Sequence, residues 1–185
     1  MTKRIALLRN DYRVISADCP WEYKITHGRG VAKDHYLTMS MQELIDMAPM
    51  VKSWSADNCV LFLWATPPKL YDGIDRLIKA WGFRYVTFGF VWVKVTQNGK
   101  YFIGNGRYSR ANSEPCLLCV KGKMPVSDHA VNQIIYAYRG PHSRKPEESF
   151  EKIERLYPKG PYLEMFARGT PRKGWDCHGN EAVSK

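Results

Sequence analysis

Four residues, Asp18-Cys19-Pro20-Trp21, have the types and order for chemistry on a flat nitrogenous group. Pro20 pushes Cys19 away from helical geometry into an extended one. A rigid turn there sets the Asp18 carboxylate and the Cys19 carbonyl side by side. Two adjacent acceptors suit a planar amino group, which carries two N–H donors. Trp21 offers a flat face for a base. Alone, the tetrapeptide reads more simply as an Asp opening a proline turn beside a packed Trp.

The surrounding elements say where this turn should sit. Arg13–Ala17 reads as a strand running into it, and residues 22–37 read as a loop with Gly28 and Gly30. Ser40 with Glu43 three residues on makes a capping box, and Leu44, Met47, Ala48 and Val51 form one helical stripe. Cys59–Trp64 is a continuous apolar run, as expected of a strand buried on both faces. Leu70, Ile74, Leu77, Ile78 and Trp81 predict a helix ending at Gly82. Tyr85–Val93 is strand-like, 95–112 a long polar loop, Pro115–Val120 a buried strand and Ile134–Tyr138 a shorter one. Pro146 opens a helix to about Tyr157, and Tyr162–Ala167 reads as the last strand. Alternating strands and helices predict an α/β sandwich with a mainly parallel sheet. In such sheets ligands bind beyond the carboxyl ends of the strands. The turns after Ala17, Trp64, Val93 and Ala167 are therefore the places to look.

Composition bounds the partners. The chain has 185 residues and a formal net charge of +10, with a pI near 9.4. That length predicts a single domain over 1–185 with no room for a separate targeting domain. No run approaches the roughly 20 apolar residues a membrane span needs, and the N-terminus offers too little for a signal peptide. Five scattered cysteines fit reduced thiols in a cytoplasm better than a disulfide framework. Residues 94–173 hold 15 basic and 7 acidic side chains, a balance of +8, against +3 in residues 1–93. Tyr101, Phe102, Tyr108, Tyr136 and Tyr138 are interleaved with that charge. Basic groups neutralise phosphates and aromatics stack on exposed bases, so nucleic acid and a merely solvated basic face compete evenly on charge alone.

The order of motifs adds a resemblance. After Asp18-Cys19-Pro20-Trp21 come His35-Tyr36-Leu37-Thr38-Met39-Ser40, Leu61-Phe62-Leu63-Trp64-Ala65-Thr66 and Trp81-Gly82-Phe83. Then follow Trp92-Val93-Lys94, Glu114 before an apolar run, and Val120-Lys121-Gly122. The set closes with His142-Ser143-Arg144-Lys145-Pro146, Glu164-Met165-Phe166-Ala167-Arg168, Gly174-Trp175 and Gly179-Asn180-Glu181. From about Tyr12 to Glu181 the chain resembles the MT-A70 family of adenine-N6 methyltransferases, which use S-adenosylmethionine. Each piece is weakly specific; their order and spacing together are strongly so. The resemblance implies a Rossmann-like methyltransferase fold in permuted order, the catalytic turn preceding the cofactor-binding strand Tyr162–Arg168.

It also implies roles. The Asp18 carboxylate and the Cys19 carbonyl would bind the adenine amino group, with Pro20 shaping the turn and Trp21 stacking on or walling the base. Lys145 would hold the cofactor carboxylate. Arg168 and Asn180 would contact its ribose or nearby groups, with Glu181 beside them and Asp18 and Glu164 at the same site. Tyr36 would lie on a gate loop over the target base, and Glu114 belongs with the substrate-binding set. Lys94, Arg107, Arg110 and Lys123 are assigned to the nucleic-acid backbone from charge and loop position alone. Two departures stand out: Cys19 replaces the family's first proline, freeing the turn somewhat, and Glu181 stands where some relatives have Gln. A thiol beside a methyl donor admits covalent chemistry in principle, but that chemistry attacks ring carbons and nothing else here accompanies it.

Simpler readings cover the remaining motifs. Cys116 and Cys119 lie three apart on a strand and point oppositely, so they cannot easily share a metal, and no metal is assigned. Gly104-Asn105-Gly106 is a turn signal. Trp64, Trp81 and Trp92 read as core, and His142 stays open. The small size is similar to stand-alone bacterial and phage members, which implies DNA as substrate in a bacterial or phage-infected cytoplasm, RNA being the alternative. A homodimer or a partner subunit is left open. Two non-enzymatic readings compete: a degenerate scaffold of the same fold, and a plain nucleic-acid-binding module. Retention of Asp18, Pro20, Trp21, Lys145 and Asn180 argues against the scaffold.

Overall fold

A computed structural model describes residues 8–22, 38–104, 106, 108–140, 144–169, 172–179, 181 and 182, with backbone alone at 168, 169, 181 and 182. Tyr36, Arg107, His142, Asn180 and most of the 22–37 loop lie outside the described residues. Strand β1 (Tyr12–Asp18) starts the sheet. Helices α1 (Met41–Asp46) and α2 (Ala48–Trp54) lead into β2 (Ser55–Trp64). A 3₁₀ turn (Pro67–Tyr71) and α3 (Ile74–Ala80) precede β3 (Arg84–Val95). Then come β4 (Ser113–Lys121), β5 (Ile134–Tyr138) and α4 (Glu147–Leu156). Four short strands finish the described chain: β6 (Tyr162–Met165), β7 (Arg168–Gly169), β8 (Trp175–His178) and β9 (Glu181–Ala182).

Seven strands form one sheet in the order β5-β3-β4-β2-β1-β6-β8, and β7 pairs with β9. Strands β2 and β6 run parallel to β1, β8 to β6, and β5 to β3. Only β4 is antiparallel, to both β2 and β3. Six strands therefore point one way and β4 points back. The sheet is mainly parallel, as the alternation predicts.

Helices cover both faces. Ile15, Ala17, Leu61, Leu63 and Met165 pack with Leu44, Val51, Leu77 and Trp81 on one side. Val14, Val60, Phe62, Trp64 and Trp92 pack with Phe150 and Ile153 on the other. Neighbours such as Val14 and Ile15 go to opposite sides, the period-2 alternation of a strand. Cys119 belongs to the first cluster and Cys116 to the second, so the two thiols are on opposite faces.

Three local expectations change. The stripe from Leu44 to Val51 is two helices, because Pro49 has no N–H to continue the first and sits in the first turn of the second. The capping box of Ser40 and Glu43 is present at the first of them. The Leu70–Trp81 helix is likewise split, at Gly73 with φ +84. Tyr162–Ala167 is not the last strand: β8 follows as the sheet edge, its Trp-Asp-Cys-His sequence too short and polar to register as one.

Candidate active site

The carboxyl ends of β1, β2 and β6 lie side by side: Asp18 pairs with Trp64, and Ala17 with Met165. Asp18 is the last residue of β1, and the turn that follows is closed by backbone bonds. The Trp21 N–H donates to the Cys19 carbonyl at 2.9 Å, a three-residue turn about Pro20. The Met39 N–H donates to the Pro20 carbonyl at 2.7 Å, and the Glu22 N–H to the Met39 carbonyl at 3.0 Å. The Cys19 carbonyl thus already accepts one bond and keeps a second lone pair. The Trp21 indole is buried and donates to the Trp64 carbonyl at 3.2 Å. That bond fixes its ring as a wall at the sheet's edge. The Cys19 thiol is buried in the core, and burial, then Asp18, pushes it well above the usual thiol range. Burial therefore favours the neutral thiol over the thiolate that covalent chemistry needs.

Reversal of β4 has a direct effect on the site. Its first residues, not its last, share an edge with the carboxyl ends of the other strands. Glu114 pairs with Trp92 there, and the Ala65 N–H reaches the Pro115 carbonyl at 3.1 Å. Four charged side chains meet at this edge. Lys145 Nζ lies 2.7 Å from Asp18 Oδ2 and 2.9 Å from Glu114 Oε1. Lys94 Nζ lies 2.7 Å from Glu114 Oε2. The Lys145 side chain is only 6% exposed and that of Glu114 10%. Burial opposes the charge on Glu114, yet Lys145 and Lys94 outweigh it and hold the carboxyl below its usual range. Burial likewise opposes the Lys145 charge, and Asp18 and Glu114 hold the ammonium above its usual range. Tryptophans form the floor: the Lys145 ammonium lies 5.5 Å from the Trp64 ring centre and that of Lys94 4.9 Å from Trp92.

Lys94, assigned to a phosphate from charge and loop position, is ion-paired to Glu114, because the base of its loop faces the edge where β4 begins. Lys123 lies at the far end of the sheet, where its N–H meets Asn58 Oδ1 at 2.7 Å, because β4 carries it there. Arg110 is exposed on the β3–β4 loop, away from the charged chain. Arg168 and Glu181 are register partners in the β7–β9 ladder. A cleft of about 420 Å³ opens beside Lys145, lined by Tyr138, Arg144, Pro146 and the first turn of α4.

A model of the MT-A70 family matches residues 12–181, nearly the whole described chain. The chain belongs to the MT-A70 family. Its fold, a mostly parallel sheet between helical layers, is that of the family's S-adenosylmethionine-dependent methyltransferases. The chain is 34% identical to the Type II methyltransferase M.MunI of a Mycoplasma species, covering 95% of this chain and 79% of that protein. It is 30% identical to the N(6)-adenosine-methyltransferase MT-A70-like of Arabidopsis thaliana, covering 92% of this chain but 24% of that protein. Identity to the human N(6)-adenine-specific methyltransferase METTL4 is 26%, over 95% of this chain and 38% of that protein.

The residues of this MT-A70 chain fit the family's cofactor. Phe166, just past β6, sits in the left-handed region at φ 60, a strained turn of the kind found at binding sites. A Cβ on Gly179 would stand 2.7 Å from the backbone N and O of Ala167, so only glycine lets the two chain ends close there. Asp18 on β1 and Glu164 on β6 are acceptors at this edge on the Trp64 face of the sheet. S-adenosylmethionine carries an ammonium, a sulfonium and ribose hydroxyls, all of which such acceptors can receive. His178, at the end of β8, is the register partner of Met165 and packs its ring 4.8 Å from Trp54 on the other face, its buried Nδ1 without a hydrogen-bond partner among the described residues. In the sequence, Cys177-His178 reads only as a possible completion of a zinc set with Cys116 and Cys119, which the strand alternation disfavours.

Glu164 gives a pH prediction. Burial is the main cause lifting its carboxyl from an ordinary value near 4.5 to about 7, with Arg144 opposing, Asp18 adding and Lys145 opposing. Between those values the folded state holds a proton that the unfolded state has lost. Stability from this group is therefore full below about pH 4.5 and is lost as pH rises through about 7, by up to ~3 kcal/mol. Glu164→Gln removes the effect. Its melting temperature should fall less than the wild type's between pH 5 and 8, and parallel melting curves across that range would contradict the assignment.

Proposed function

We propose that this chain is one catalytic domain that transfers a methyl group from S-adenosylmethionine to the N6 amine of adenine in nucleic acid, DNA in preference to RNA. The observation that carries the reading is the Asp18 carboxylate at the carboxyl edge of β1, at the start of the Cys19–Trp21 turn and held by Lys145. When bound, the cofactor supplies an electrophilic methyl group on a sulfonium. Glu164 and Asp18 would receive its polar and cationic parts, and the family motif assigns Arg168, Asn180 and Glu181 to the same cofactor. Two of the three Lys145 N–H donors serve Asp18 and Glu114, and the third, which has no partner among the described residues, would take the cofactor carboxylate.

The N6 lone pair of adenine is delocalised into the ring and makes a poor nucleophile. Asp18 and the Cys19 carbonyl would accept its two N–H bonds, draw the lone pair onto nitrogen and aim it. Positioning supplies most of the acceleration. The Asp18 charge also stabilises the positive charge that develops on nitrogen, in a site where water is scarce. Trp21 walls the base; the gate that the family motif assigns to Tyr36 lies outside the described residues. A base inside a duplex must first be flipped out, at a cost of a few kcal/mol. Exposed Lys100, Tyr101, Tyr108 and Arg110 on the β3–β4 loop suit a phosphate backbone and its bases, so binding should weaken as salt rises.

DNA is favoured because the chain spans most of M.MunI but only about a quarter of the plant N(6)-adenosine methyltransferases. Incubation with cofactor and equal amounts of duplex DNA, single-stranded DNA and RNA, with nucleosides measured by mass spectrometry, tests both parts. Methylated deoxyadenosine is the expected product. N6-methyladenosine in RNA alone would reverse the substrate choice, and no methylated nucleoside in any arm would leave a scaffold or binding module.

A further inference from the structure

We propose that Lys94 is a positioning residue for this reaction: acting through Glu114 and Lys145, it sets the carboxylate of Asp18. The inference rests on the function proposed above and adds a residue outside the reacting group.

The four side chains alternate in charge along one line. Each Glu114 oxygen holds a different cation, Oε2 to Lys94 at 2.7 Å and Oε1 to Lys145 at 2.9 Å. Lys145 in turn reaches Asp18 at 2.7 Å. Its ammonium is thus shared between two carboxylates, and how it divides itself depends on how much of the Glu114 charge is already answered. Lys94 answers it. Without Lys94, the whole Glu114 charge falls on Lys145, in surroundings where such attractions are strong and unpaired charges costly. The ammonium then moves toward Glu114 and loosens its hold on Asp18.

Geometry also commits Lys94 to this duty. Its N–H donates to the Asn112 carbonyl at 2.8 Å, and its carbonyl accepts from the Phe102 N–H at 2.9 Å. It therefore sits at the neck of the β3–β4 loop with its ammonium turned inward over Trp92. It cannot reach out to a phosphate without releasing Glu114. One residue thereby joins the exposed basic and aromatic loop to the carboxylate that would hold the amine.

Lys94→Met, Lys94→Arg, Glu114→Gln and the Lys94→Met/Glu114→Gln double variant test this in steady-state methyl transfer to an adenine-containing DNA oligonucleotide. Lys94→Met should lower kcat by about tenfold or more and leave KM for the oligonucleotide within about twofold, because geometry at the reacting group is lost and binding is not. Lys94→Arg should recover most of the rate. In the Glu114→Gln background, Lys94→Met should add less than about twofold, the signature of residues acting in one chain. The ¹³C carboxyl resonance of Asp18, recorded without cofactor or nucleic acid, should move in Lys94→Met and return in Lys94→Arg. An unchanged kcat with raised KM and a weaker salt dependence would make Lys94 a phosphate contact and overturn the proposal. Independent, multiplying effects of the two single substitutions would do the same. If the wild-type protein transfers no methyl group, the catalytic reading fails by itself. The Asp18 resonance then decides alone whether Lys94 sets that carboxylate, and a resonance unmoved in Lys94→Met overturns it.

Discussion

Asp18→Ala should reduce methyl transfer by at least about 10³-fold while the protein stays folded and still binds S-adenosylmethionine. Loss of one positioned, charged group aimed at developing charge accounts for that order of magnitude. Folding should survive because Lys145 keeps Glu114 as a partner at 2.9 Å, so the substitution strands no buried cation. Single-turnover transfer of a labelled methyl group gives the rate, and calorimetry gives cofactor binding. Turnover near the wild-type rate would sink the mechanism. Loss of cofactor binding with loss of rate would instead assign Asp18 chiefly to the cofactor.

Lys145→Met should do the most damage to stability. It removes the cation shared by Asp18 and Glu114 from a position whose side chain is 6% exposed. Glu114 keeps Lys94, but Asp18 loses its ammonium partner at 2.7 Å. Breaking such a pair from one side costs up to about 3–5 kcal/mol. Urea unfolding of the wild type and of Lys145→Met at neutral pH measures the deficit. A loss no larger than about 1 kcal/mol would mean that Lys145 stabilises by packing its stem alone.

Some of this was legible in the residues and some could not be. The β1 strand, its proline turn and the Ser40–Glu43 capping box depend on neighbours in sequence, and all three could be read directly. The apolar run at Cys59–Trp64 announced a doubly buried strand because burial selects composition. The direction of β4 was different. An alternating or continuous apolar pattern looks the same read from either end, so nothing in Pro115–Val120 distinguishes up from down. Yet direction decides that Glu114 meets Lys145 and that Lys123 does not reach the site. The destination of a lysine is equally hidden. Lys94 and Lys100 are alike in a charge count, but one ends on a buried carboxylate and the other stays exposed. Pro49 and Gly73 were visible, but the apolar stripes around them are continuous, so their power to divide a helix emerged only from the backbone.

The hydrogen bond between the Lys94 N–H and the Asn112 carbonyl makes the β3–β4 loop a cassette. Its two ends are ladder neighbours on adjacent strands, so the sheet continues in register whatever lies between them. Lengthening such a closed loop is cheap, about 0.6 kcal/mol for each doubling. Insertions and exchanges can accumulate at 96–111 without the strands moving. A lineage could then change which nucleotides it greets by trading that segment, the carboxylates and lysines beneath keeping their places so long as the new segment restores the bond that the Phe102 N–H makes to the Lys94 carbonyl. In the laboratory the same seam marks where one chain's loop can be grafted onto another's catalytic floor.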